Sequence, residues 1–111
     1  MKALFIVTAA IEAAQAIARK VAAKSDADTR GRATFAFRLI LCRAPEPREV
    51  ERLVKLFESE RAHYAQDSKA ADKMANSELG KPPAGLSDAD LAAWTVVANV
   101  LLNLDEAITK G

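Results

Sequence analysis

The chain has 111 residues and nearly balanced charge, with 16 Lys/Arg against 15 Asp/Glu and a formal net charge of +1. This length suits one domain and is sufficient to bury a core without a metal ion or a disulfide. The near-neutral charge excludes a global electrostatic field that would attract nucleic acid or an anionic membrane.

Composition predicts the fold class. Half of the residues are hydrophobic, yet only 5% are aromatic, and alanine is abundant. Alanine has the highest helix propensity, whereas strands favour β-branched and aromatic residues. We therefore predict an all-α protein, a compact bundle of four to five helices in a single helical domain over residues 1–111, with a Pro-rich hinge between helices two and three.

Positive and negative charges are unevenly distributed along the chain. Residues 1–48 hold nine Lys/Arg against four Asp/Glu, a net +5, and residues 49–111 hold seven against eleven, a net −4. Two interpretations stay open. Either the two halves face each other or solvent, or one of them forms a docking surface for a larger partner.

The first predicted helix covers about residues 3–24. Its apolar residues recur at helical spacing: Leu4, Val7, Ile11, Ala14, Ala18 and Val21. A signal peptide over residues 1–16 is the alternative, because a positive start and an apolar run precede the small residues Ala14-Gln15-Ala16. The apolar run is shorter than the roughly 20 residues that a membrane span requires, so no span is expected.

The second helix is predicted over about residues 27–43, with Ser25 or Asp26 as its N-cap. Residues 33–42 are apolar on nearly all sides, which is typical of a central helix with neighbours on several faces. Arg38 is the exception, and we expect a carboxylate or carbonyl partner for it. Cys42 is the sole cysteine and is expected to be a small buried hydrophobe.

The Pro-rich hinge starts the third helix, predicted over about residues 47–66. Pro45 and Pro47 cannot continue a helix, but Pro47 fits the first position of the next one, with Glu46 at the N-cap and Glu49 three residues later. The helix then carries a regular amphipathic stripe: Val50, Leu53, Val54, Phe57, Arg61 and Tyr64.

A short fourth helix is predicted over about residues 68–76, capped by Asp67, although a kinked continuation of the third helix is also open. A Gly- and Pro-rich loop follows over residues 77–87. Ser87 then caps the last helix, about residues 88–104. Its core face is expected to hold the following residues: Leu91, Trp94, Val97, Ala98, Leu101 and Leu102. The tail after Glu106 is expected to leave the domain.

Two segments resemble a known family. Residues 37–50 read Phe-Arg-Leu-Ile-Leu-Cys-Arg-Ala-Pro-Glu-Pro-Arg-Glu-Val, and residues 93–106 read Ala-Trp-Thr-Val-Val-Ala-Asn-Val-Leu-Leu-Asn-Leu-Asp-Glu. Both are similar to the C-terminal helical region of the planctomycete-enriched domain of unknown function 1553 family, and the resemblance covers about residues 11–110. It implies the end of a long, extracytoplasmic protein, often with cytochrome-c-like modules upstream. It implies no catalytic residues.

The residues supply no catalytic, metal or cofactor constellation. His63 is the single histidine, and it lacks the Cys or His spacing of a zinc site. A haem-ligand role together with Met74 is a remote alternative. The carboxylates Glu58, Glu60, Asp67 and Asp72 lie among Lys and Arg on a solvated face, so paired acid–base catalysis is not expected. No cofactor and no nucleic-acid partner are predicted.

The best polar candidates form a structural network or, alternatively, a ligand cleft: Arg38, Asn99, Asn103 and Asp105. Asn99 and Asn103 are four residues apart and share one helix face. We therefore predict a non-catalytic packing or protein-interaction module whose partner is another domain or protein. The alternatives are a stand-alone protein that self-associates through its first helix, and a fragment of an enzyme or electron-transfer assembly whose active site lies in other domains.

Overall fold

The computed structural model describes residues 2–24, 28–76 and 87–110, and their side chains over residues 12–24, 28–75 and 87–104. It contains five helices: α1 Lys2–Ala22, α2 Thr29–Leu41, α3 Pro47–Ala65, α4 Ser68–Asn76 and α5 Asp88–Lys110. Within these ranges no strand occurs. The protein is all-α, and the predicted bundle of four to five helices is confirmed.

Two helix starts are fixed by side-chain caps that the sequence predicted. The Asp67 carboxylate accepts a hydrogen bond from the Ala70 N–H at 3.1 Å, so α4 is a separate helix and not a continuation of α3. The Ser87 hydroxyl accepts from the Asp90 N–H at 3.1 Å. Each cap satisfies one of the backbone donors that a helix N-terminus leaves unpaired.

Two helix ends differ from the prediction. The N-cap of α2 is Asp28, whose carboxylate accepts from the Gly31 N–H at 2.8 Å, while Ser25 and Asp26 lie outside the described residues. Helix α5 continues to Lys110 and does not end at residue 104. Its last six residues contain no Gly or Pro, so nothing in the local sequence stops the helix.

The core is centred on α5, which contacts each of the other four helices. Its buried face includes Leu91 and Leu101, both fully buried, and the small residues Ala92 and Ala93. Trp94 is 2% exposed and stacks on Phe57 of α3, with ring centroids 4.2 Å apart and planes 26° apart. The sequence therefore identified the core role of Trp94 correctly.

Helices α1 and α3 bury the residues that their periodicity predicted, as far as side chains are described. In α1 these are Ala14, Ala18 and Val21, while Leu4, Val7 and Ile11 lie outside the described side chains. In α3 the apolar members of the predicted stripe are all buried: Val50, Leu53, Val54, Phe57 and Tyr64. Arg61, on the same stripe, is exposed and places its guanidinium over the Phe57 ring.

Helix α2 is not the central helix that its composition predicted. Ala33, Ala36 and Phe37 are buried, but Arg38 is exposed and Leu39 is 42% exposed. A helix that is apolar all round can bury every face only if neighbours surround it. Here α1, α3 and α5 contact α2, and one face stays in contact with solvent.

One buried polar residue links α1 to the end of α4. Gln15 is 1% exposed, and its Nε2 donates to the Met74 carbonyl at 2.6 Å. That carbonyl belongs to the last turn of α4, where backbone acceptors have no partner within the helix. Gln15 therefore fixes α4 against α1 by satisfying one of these acceptors.

The stacked pair gives the first prediction. Trp94→Ala should lower the free energy of unfolding by about 3–5 kcal/mol, because a large cavity opens beside Phe57. Urea denaturation followed by circular dichroism measures the loss. Phe57→Leu, a smaller truncation, should cost less and keep the loss measurable if the Trp94 variant does not fold. Leu104→Ala, at a side chain 47% exposed, should cost less than about 1 kcal/mol. Similar losses for the Trp94 and Leu104 variants would contradict the core role of the Trp94 ring.

Candidate functional site

The segment that joins α2 to α3 is held by a bidentate ion pair. The Arg43 guanidinium donates to both carboxylate oxygens of Glu49, at 3.1 Å and 3.0 Å. The same carboxylate accepts from the backbone N–H of Glu46 at 2.8 Å. One side chain of α3 therefore contacts both ends of the turn between α2 and α3, residues 42–46, which together with Pro47 forms the predicted Pro-rich hinge.

The hinge also contacts the core through an aromatic ring. The guanidinium carbon of Arg43 lies 4.7 Å from the centroid of the buried Phe37 ring. An arginine stacked on an aromatic face and paired bidentately with a carboxylate has little freedom left. Arg43 consequently fixes the direction in which the chain leaves α2 and enters α3.

The local sequence explains why α3 begins where it does. Pro47 is the first residue of α3, and Glu46 is its N-cap in extended conformation, as predicted. Glu49 reaches back to the Glu46 N–H, which is the reciprocal half of a capping box. The contact between Arg43 and Glu49 was not predicted from the sequence. The available signal was opposite charge on either side of a proline turn that returns the chain on itself.

The ion pair shifts the titration of both partners. The hydrogen bonds from Arg43, followed by that from the Glu46 backbone, lower the pKa of Glu49 from 4.5 to about 2. The hydrogen bond to Glu49 raises the pKa of Arg43 above its ordinary value. The pair therefore stays ionised throughout the physiological pH range.

Cys42 is exposed, so the expectation of a buried hydrophobe is wrong. It is the C-cap of α2, with a left-handed backbone at φ 59° and ψ 29°, and its N–H donates to the Arg38 carbonyl. It is the one non-glycine residue with positive φ in the described part of the chain. The Cys42 side chain lies outside the core because the left-handed backbone at this position ends the helix.

The solvent-facing side of α2 forms the second feature of the site. Phe35, Arg38, Leu39 and Cys42 follow the spacing i, i+3, i+4 and i+7, which places them on one face, and we call them the outer α2 face. Phe35 is half-buried and the other three are exposed. The Nζ of Lys24 lies 5.0 Å from the centroid of the Phe35 ring. This face therefore combines apolar surface with two cations.

The structure does not bring the four predicted network residues to one described site. Arg38 is exposed on α2, and Asn103 is exposed on α5. Asn99 is half-buried, and its buried Oδ1 has no hydrogen-bond partner among the described residues. Asp105 lies within α5, but its side chain is outside the described residues. A network of these residues stays a prediction. Arg38 is exposed because α2 has an open face, so the reason for expecting a carboxylate or carbonyl partner, the cost of burial, does not apply.

The other candidate residues lie on the surface of α3 and α4. His63 is exposed, with its ring edge-on to buried Tyr64 at 5.0 Å. Burial raises the pKa of the Tyr64 phenol, and the charge of Glu60 adds to that effect. Among the described side chains, no group of three or more His, Cys, Asp or Glu lies close enough to hold a metal ion. The candidate functional features among the described residues are consequently the hinge and the outer α2 face.

Comparisons with known proteins give no further assignment. No protein family model matches this chain. No curated protein matches it, and no solved structure matches it. Among the described helices, none is both long enough and apolar enough to cross a membrane.

The lowered pKa of Glu49 gives a pH-dependent prediction. Because the folded-state pKa of about 2 lies below the ordinary value of 4.5, the carboxylate stabilises the fold fully above pH 4.5. This stabilisation is lost as the pH falls toward 2. Glu49→Gln should therefore be less stable than the wild-type chain at pH 7 and equally stable near pH 2. Urea denaturation at a series of pH values measures the difference.

Two further variants isolate the ion pair. Glu58→Gln removes an exposed carboxylate from the same helix and should change stability by at most about 0.5 kcal/mol at either pH. The variant with both Arg43→Gln and Glu49→Gln should be less destabilised than the sum of the single changes, because they break one interaction. Additive losses would show that the two side chains act independently.

The backbone of Cys42 gives a third prediction. Glycine adopts positive φ without a steric penalty, so Cys42→Gly should be at least as stable as the wild-type chain. Cys42→Val should be about 1 kcal/mol less stable, because a β-branched side chain is least tolerated in this conformation. Urea denaturation in reducing buffer compares them. Equal stability of the Gly and Val variants would contradict the left-handed C-cap.

Proposed function

We propose that this chain is a non-catalytic packing or protein-interaction module, the C-terminal part of a larger extracytoplasmic protein of the domain of unknown function 1553 kind. Its binding surface is the outer α2 face, and its partner is the upstream part of that larger protein. The single observation that carries the proposal is the exposure of apolar side chains on the outer α2 face, where Leu39 and Cys42 are both exposed.

The burial pattern supports a binding role for this face. Residues 33–42 contain a single charged side chain, Arg38. A surface helix normally needs apolar residues on the side that faces the core alone. Leu39 instead is 42% exposed and Cys42 is exposed. Leu39 and Cys42 therefore extend the half-buried Phe35 into an exposed apolar surface, and contiguous exposed apolar surface marks interaction sites.

The hinge supports the same proposal. The residues that carry the family resemblance, Arg43, Pro47 and Glu49, contact or cap one another around the turn between α2 and α3. All three residues have structural roles: Arg43 and Glu49 form the bidentate ion pair, and Pro47 begins α3. The motif therefore stabilises the geometry that presents α2, and it requires no reaction to explain it.

A complementation experiment tests the proposal. The upstream part of a long member of this family, expressed without its own C-terminal segment, should form a one-to-one complex with this chain in size-exclusion chromatography with light scattering. Leu39→Asp should weaken the complex at least about tenfold, because it places an unpaired carboxylate in an apolar contact. Leu104→Asp is the matched control. It makes the same change at another exposed leucine, 47% exposed on α5, and should leave the complex intact.

Other outcomes would contradict the proposal. If no complex forms, or if Leu104→Asp disrupts the complex while Leu39→Asp does not, the outer α2 face is not the binding surface. If this chain alone forms a stable dimer across a concentration series, the stand-alone, self-associating protein becomes the better description.

A further inference from the structure

We infer that the partner surface that binds the outer α2 face is a protein surface with an apolar centre flanked by carboxylates. This inference rests on the proposed function and adds the chemistry of the partner. It follows from the charges around the face, which are of one sign over α2 and the end of α1.

The charges of α2 are all positive. Thr29–Leu41 contains three arginines and no Asp or Glu. Two of the arginines are engaged within the chain. Arg30 pairs with Glu51 at 2.7 Å, and the Arg32 Nε donates to the Lys24 carbonyl at 3.3 Å.

Arg38 lies on the outer face beside Leu39. At the other end of the face, the ammonium group of Lys24 lies over Phe35. The carboxylate at the start of α2 is that of the N-cap Asp28, whose Oδ1 already accepts from the Gly31 N–H. Two cations thus border the apolar residues of the outer α2 face. A partner with complementary charge would present carboxylates to them.

A protein partner fits this surface better than a membrane. Interfacial helices carry a continuous, strongly hydrophobic face together with a cluster of Lys and Arg. On the outer α2 face, Leu39 is the one large apolar residue that is well exposed, since Phe35 is half-buried. A net charge of +1 adds little attraction to an anionic bilayer. A small apolar centre with a charged rim is the usual anatomy of a protein interface.

Two synthetic peptides test the inference directly. Both are amphipathic helices of about four turns with the same leucine face, and they differ in carrying either glutamate or lysine beside it. Titration of the ¹⁵N-labelled chain should show the glutamate peptide shifting the amide resonances of Phe35, Arg38 and Leu39. The glutamate peptide should bind at least about tenfold more tightly than the lysine peptide, because like charges disfavour the second complex.

Charge reversal identifies the residue responsible. Arg38→Glu should abolish the preference for the glutamate peptide, and Arg38→Gln should reduce it. Arg52→Glu is the matched control, because it makes the same change in net charge at an exposed arginine of α3 and should keep the preference. Arg38 lies in the last turn of α2, where a cation also stabilises the helix. Thermal denaturation therefore confirms that each variant is folded.

The outcomes separate this inference from the proposed function. Equal affinity for both peptides, with binding lost in Leu39→Asp, would overturn the acidic partner and leave the interaction surface in place. Equal loss of preference in the Arg38 and Arg52 variants would also overturn it, because net charge would then explain the result. If neither peptide shifts this face, or if vesicles containing phosphatidylserine shift it instead, the acidic protein partner is wrong. Complex formation with the upstream part then decides the proposed function on its own.

Discussion

The burial of α5 against all four other helices is the constraint on which the rest of the fold depends. Small residues on its buried face, among them Ala92, Ala93 and Ala98, let the neighbouring helices approach closely. The stack of Trp94 on Phe57 then joins α3 to α5 through two buried aromatic rings. Because the core of a domain this size is limited, a helix that takes the centre leaves others at the edge. Helix α2 is one of these, and its open face follows from that placement.

The hinge restricts the angle between α2 and α3 more than it raises the free energy of unfolding. The Arg43–Glu49 pair is solvent-accessible, and exposed ion pairs stabilise a fold only modestly because water and salt screen them. The bidentate geometry, the stack on Phe37 and the bond to the Glu46 backbone all act on a five-residue turn. Together they restrict the angle between α2 and α3. A restricted angle keeps α2 at the edge of the bundle, which is where the proposed binding face is open to solvent.

The helices could be predicted from the sequence because their signals are local. Each helix start and each apolar stripe that was predicted correctly is set by residues close together in the chain. These signals are Pro47, the caps Asp67 and Ser87, and the apolar period of α3. Two expectations failed: the central place of α2 depends on which helices pack around it, and the burial of Cys42 is prevented where the left-handed backbone ends the helix. An apolar sequence shows that a face avoids water but does not show what covers it. The pairing of Arg43 with Glu49 was missed likewise, because it forms across a turn whose geometry the sequence leaves open.

The uneven charge of the two halves of the chain has two components, one paired within the domain and one on the surface. The Arg30–Glu51 and Arg43–Glu49 pairs join the positive first half to the negative second half. Part of the asymmetry is therefore used inside the domain, as the first of the two original interpretations expected. Around the outer α2 face, Lys24 lies over the Phe35 ring and Arg38 is exposed. Under the proposed function, the docking interpretation applies to these two cations of the same half.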